Sequence, residues 1–185
     1  MLFSLAHVIQ AFRKTFIMAM LCIVSFLIYT LLLAIFEHTV FASSLMLIPF
    51  ISGFIHSGLE HFLINLGLFG AAMLCTINRD YTMRYLYWLT VLISFLYLPI
   101  AVLGFSLPAI GISGLCYFLI VRVLLTWKVK YNIGTLLFWM LTISEIYGLV
   151  VLKDDIAHGV HLIGIGLGVY SIKKVSFQNR KLSLW

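Results

Sequence analysis

Apolar residues in this chain do not alternate with polar ones; they run in long stretches broken by short polar and basic clusters. A helix needs roughly 20 apolar residues to cross a bilayer core of about 30 Å. Six runs approach that length, at residues 16–36, 57–77, 84–105, 109–127, 133–152 and 156–172. The pattern predicts an all-α, polytopic membrane protein, a bundle of six membrane-spanning helices. Residues 1–12, MLFSLAHVIQAF, predict a separate short helix lying in the membrane interface. The expected organisation is an N-terminal segment over 1–15, a six-helix core over 16–172 and a basic tail over 173–185.

Composition agrees with that division. Of the 185 residues, 63% are hydrophobic and 10% charged, against about 25% charged in an ordinary soluble domain. A net charge of +6 could serve nucleic acid, but its placement argues otherwise. Arg13 and Lys14 precede the first run, Arg79 and Arg84 lie between the second and third, and Lys128 and Lys130 between the fourth and fifth. Lys173, Lys174, Arg180 and Lys181 follow the sixth, while the alternate loops hold only Lys153, beside Asp154 and Asp155. Basic residues mark cytoplasmic loops, so both termini are expected in the cytoplasm. The basic partner is then anionic lipid headgroups, not nucleic acid. The first run, Phe16 to Phe36, has 21 residues, longer than the apolar part of a cleaved signal, about 7–15. Cys22, Cys75 and Cys116 are isolated and form no CxxC, which gives neither a disulfide framework nor a zinc site.

Polar side chains inside spans are costly and point to function or to interhelical bonding. The second run opens 56-HSGLEHFLINLGLFG-70, with His56, Glu60, His61 and Asn65. With the expected orientation, Ser113 and His161 lie roughly 8–9 Å below the outer surface. His61 lies at a similar level and Asn65 one turn deeper; their i,i+4 spacing places both on one helix face. Ser113 stands between glycines in 111-GISG-114, and the sixth run reads 161-HLIGIGLG-168. Gly164 and Gly168 form a small-xxx-small face that lets membrane helices approach closely, and Gly111 and Gly114 make the fourth helix the natural neighbour.

These parts fit one chemistry. A serine hydroxyl becomes a nucleophile when a histidine takes its proton, and attack on a carbonyl needs donors for the oxyanion. Ser113 and His161 fit the first requirement; His61, Asn65 and the Ser113 backbone N–H fit the second. His158 is a second histidine on the sixth helix, but only His161 has glycine at +3 and +7. No acidic residue is evidently placed to orient His161, so a dyad is expected. Glu145, in 141-LTISEIYG-148, is read as serving a local network rather than a catalytic histidine. Arg122 is expected to snorkel to the cytoplasmic face, and Glu60 to be solvated. Each residue also has a plainer use: Ser113 as a packing serine, His61 and Asn65 as interhelical partners, and His56 as a clamp on a loop. His56, His61, His158 and His161 could alternatively hold zinc or haem iron, a use that leaves GISG unexplained.

The combination H-x4-H-x3-N in the second span, GxSG at the head of the fourth and H-x2-G-x3-G in the sixth resembles the rhomboid family of intramembrane serine proteases. The resemblance covers His56 to about Gly168. It implies a six-helix bundle with cytoplasmic termini that cleaves transmembrane protein substrates near their outer ends, without metal or cofactor. It also implies Ser113 as nucleophile, His161 as base, and His61 and Asn65 at the oxyanion, with His56 upstream of them. Gly111, Gly114, Gly164 and His158 fall in supporting positions. The loop 37-EHTVFASSLMLIPFISGF-54 lacks the Trp-Arg pair that many members carry. A non-catalytic relative that escorts transmembrane clients is the alternative, although such proteins usually lack one member of the dyad. The compact six-span form points to a bacterial inner membrane.

Overall fold

The computed structural model describes residues 4–41, 50, 52–56, 58–76, 81–102, 111–126, 133–152 and 158–182. They form six helices and no strand: α1 (Leu5–Phe41), α2 (Leu59–Cys75), α3 (Met83–Val102), α4 (Ser113–Thr126), α5 (Ile133–Tyr147) and α6 (His158–Leu182). A π-helical turn, Gly148–Leu152, extends α5. Arg79, Lys128, Lys130, Lys153, Asp154 and Asp155, on which the expected orientation rests, lie outside the described residues, as do residues 42–49 and 51 of the 37–54 loop.

The short helix expected over residues 1–12 is not separate. α1 runs unbroken for 37 residues, about 55 Å at 1.5 Å per residue. No Gly or Pro occurs between Leu5 and Phe41, so nothing in the backbone stops the helix. Its first turns are tied to the far end of α2. The His7 Nε2–H donates to the Leu74 carbonyl at 3.0 Å, and Thr15 lies against Gly70. The two helices therefore run antiparallel, with Ala11, Met18 and Cys22 buried between α1 and the core.

α4 is the central helix. It packs most extensively against α6 and also touches α2, α3 and α5. Leu115, Cys116, Phe118, Leu119 and Val121 are buried on nearly every side of it. The outer helices do the reverse and expose large apolar side chains, among them Phe16 and Leu27 on α1, Trp88 and Phe95 on α3, and Leu136, Trp139 and Ile143 on α5. Two stretches, Leu5–Leu31 and Ile133–Leu152, are long and apolar enough to cross a membrane. Leu59–Cys75, Ser113–Leu125 and His158–Ile172 are apolar but shorter.

Arg122 departs from expectation. It is buried, donates to the Ser171 hydroxyl of α6, and lies over the rings of Tyr81 and Phe118 at 5.7 and 5.9 Å. Two ring faces and a hydroxyl offer the guanidinium enough polar and π contact to stay in the bundle.

Candidate functional site

α4 begins at Ser113, and the turn ahead of it depends on glycine. Gly111 has φ +60°, a conformation glycine adopts without strain. A Cβ there would also stand 2.8 Å from His56 Nε2. The His56 ring therefore rests on the turn that presents Ser113, and its Nδ1–H donates to the Phe54 carbonyl at 3.2 Å. The same ring meets His61 of α2 edge-on, with centroids 5.2 Å apart. His56 thus bridges the head of α4 and the start of α2.

Asn65 is 4% exposed. Its backbone carbonyl accepts the Cys116 thiol at 3.3 Å, which sets it beside the first turn of α4. Its side-chain Nδ2 is buried and has no hydrogen-bond partner among the described residues. A buried donor left unpaired costs about 1–3 kcal/mol. Glu60, one position before His61, is exposed.

The other flank of α4 is α6. A Cβ on Gly164 would stand 2.1 Å from the Gly114 carbonyl oxygen, and one on Gly114 would stand 2.6 Å from Val160. The backbones meet there, on the small-residue faces anticipated from GISG and GxxxG. Tyr117, one turn after Ser113 on the same face of α4, stacks on His161 with centroids 4.1 Å and planes 7° apart. Ser113 and His161 are both buried, at 3% and 8% exposure. His56, His61, Asn65, Ser113 and His161 therefore gather around the first turn of α4.

Glu145 requires a correction. The sequence suggested no acid to orient His161, yet Oε2 of Glu145 accepts the Nδ1–H of His161 at 2.8 Å and that of His158 at 2.6 Å. Its Oε1 accepts the Tyr117 hydroxyl at 2.5 Å. Glu145 is 6% exposed, and three donors satisfy its charge. His158 differs from His161 in its surroundings: its ring sits on Gly148, where a Cβ would be 2.2 Å from Cε1. The signal for Glu145 was present in the spacing. Gly134, Phe138, Glu145 and Gly148 are the buried positions of α5 and its π turn, one narrow inward stripe in which the acid falls. Tyr117 was also missed, although its i,i+4 relation to Ser113 places it on the same face.

Glu145, His158 and His161 have potential ligand atoms within 4.8 Å of one another, the one such group among the described residues. Two histidines and a carboxylate are a donor set that zinc accepts. The observed contacts, each an N–H donated to a carboxylate oxygen, are those of a hydrogen-bonded cluster. No model of a known protein family, no curated protein and no solved structure matches this chain.

Proposed function

We propose that the chain is a rhomboid-type intramembrane serine endopeptidase, a six-span, multi-pass protein of a bacterial inner membrane acting without metal or cofactor. The observation that carries this reading is the shared face of α4 and α6. Ser113 heads α4, Tyr117 one turn along stacks on His161, and Gly164 lies against the backbone of Gly114. In this reading His161 Nε2 takes the proton of Ser113 Oγ as that oxygen attacks the carbonyl carbon of a substrate peptide bond. His161 then gives the proton to the leaving amine. In the second half a water loses its proton to His161 and attacks the Ser113 ester; the acyl–Oγ bond breaks, the carboxyl product leaves and His161 returns the proton to Ser113 Oγ. His61, the Asn65 amide and the Ser113 N–H face the oxyanion. The unpaired, buried Nδ2 of Asn65 supports that role, since a waiting donor is what a transient oxyanion needs. The substrates are transmembrane helices that unwind near their outer ends.

The test is cleavage in liposomes of a panel of single-span helices carrying small residues near one membrane surface. Wild type should cut at least one helix, and Ser113→Ala and His161→Ala should cut none. Cleavage that survives Ser113→Ala would refute the reading. The clustered Glu145, His158 and His161 favour a second reading, a divalent-cation site. Stoichiometric metal in the purified protein, with cleavage abolished by a chelator, would bring it forward.

A further inference from the structure

We propose that Glu145 is a positioning residue for His161, making the site a Ser113–His161–Glu145 relay instead of a dyad; the proposal rests on the protease reading. Three observations converge on one carboxylate. His161 Nδ1 is 2.8 Å from Glu145 Oε2, which assigns the ring proton to Nδ1, because an ionised carboxylate only accepts. The Nε2 of a neutral imidazole is then the lone-pair atom, the form a base facing serine requires. Tyr117 fixes the arrangement twice over. Its ring stacks on His161 and its hydroxyl holds the other carboxylate oxygen. Rotation of the carboxylate would break the Tyr117 bond, tilting the imidazole would break the stack, and flipping the ring would lose the Nδ1–H bond to Oε2.

His158 is the third anchor. Its Nδ1–H shares Oε2 at 2.6 Å, and its ring can reach that oxygen because position 148, one turn after Glu145, is glycine. The π turn begins at that residue, and such turns often mark functional positions. The Glu145 carboxylate of α5 is thus held by three donors, Tyr117 from α4 and His158 and His161 from α6. During attack the proton moves from Ser113 Oγ to His161 Nε2 and the ring becomes imidazolium. Glu145 stays ionised, keeps Nδ1–H, and stabilises the new positive charge. When Nε2 passes its proton to the leaving amine, the network returns to its starting state.

The experiment compares wild type, Ser113→Ala, Glu145→Gln and Glu145→Asp in detergent. Readouts are the rate of covalent labelling by a fluorescent fluorophosphonate, the thermal unfolding midpoint, and the ¹⁵N spectrum of histidine-labelled protein. A glutamine at 145 can turn its amide N–H toward Nδ1 and favour the other tautomer. Labelling should fall about 10²- to 10⁴-fold, with a midpoint close to wild type, and Glu145→Asp should recover part of the loss. The wild-type spectrum should show His161 protonated at Nδ1. Labelling of Glu145→Gln at the wild-type rate would overturn the relay and leave the protease reading intact. Should Glu145→Gln fail to fold, the wild-type spectrum decides: His161 protonated at Nε2 overturns the proposal. Wild type that never labels at Ser113 would overturn both readings.

Discussion

Gly164, Gly166 and Gly168 of α6 make a graded test of the close approach that assembles the site. At Gly164 a Cβ would lie 2.1 Å from the Gly114 carbonyl oxygen and 3.0 Å from its carbon. Both are backbone atoms, so no rotamer change relieves the clash. Restoring an ordinary contact of about 3.4 Å requires the helices to part by roughly 1.3 Å at that point, the difference between 3.4 and 2.1 Å. Overpacking of this kind costs about 1–3 kcal/mol. His161 lies only three residues from Gly164, so it would move with α6, and a misplacement near 1 Å can cost about 10²-fold in rate. Gly168→Ala is milder, with contacts of 3.0 Å to a Val121 methyl and 3.1 Å to the Phe118 carbonyl. Gly166 has open space around its missing Cβ, and alanine there should stabilise the helix by up to about 1 kcal/mol. Unfolding in detergent, followed by tryptophan fluorescence, with labelling rates measured in parallel, should order the variants Gly166→Ala, Gly168→Ala, Gly164→Ala from most to least stable. A Gly164→Ala protein as stable and as reactive as Gly166→Ala would show that α4 and α6 do not meet as described.

Other substitutions separate the roles of single groups. Asn65→Ala removes the unpaired buried donor, and should lower labelling and turnover by about 10²- to 10³-fold while leaving the unfolding midpoint unchanged or raised. Tyr117→Phe keeps the stack on His161 but deletes the hydroxyl on Glu145; a stability loss near 1 kcal/mol, with a rate loss smaller than that of Asn65→Ala, is expected from parallel melts and labelling. Gly148→Ala would place a methyl 2.2 Å from the His158 ring and should displace His158, seen as a shifted His158 signal in the ¹⁵N spectrum. His158→Ala should cost labelling far less than His161→Ala, because only His161 stacks on the residue one turn from Ser113.

The all-helical character was legible in the long apolar runs that do not alternate with polar residues. The runs at 84–105 and 133–152 correspond to α3 and to α5 with its π turn. The meeting of α4 and α6 was legible too, since glycine at 114 and 164 has no use on a lipid-facing surface but a clear one where backbones touch. Glu145 was harder to place. On α5 the exposed face, with Leu136, Trp139 and Ile143, is as apolar as a core, so hydropathy does not reveal which side faces the bundle. Only the spacing of Gly134, Phe138, Glu145 and Gly148 carries that information. Arg122 was misread for a related reason. Depth along a helix can be counted from the sequence, but the Ser171 and Tyr81 that receive the guanidinium belong to other segments of the chain. The extension of α1 back to Leu5 was obscured by Arg13 and Lys14, which mark a charge boundary and not a break in the helix.

The most direct test of the central claim is to find where a fluorophosphonate bonds. The purified protein in detergent would be treated with the reagent, digested, and the adduct located by mass spectrometry. A single adduct on Ser113, lost in His161→Ala, is the result this account predicts. No adduct on well-folded wild type, or an adduct elsewhere that persists in Ser113→Ala, would contradict it.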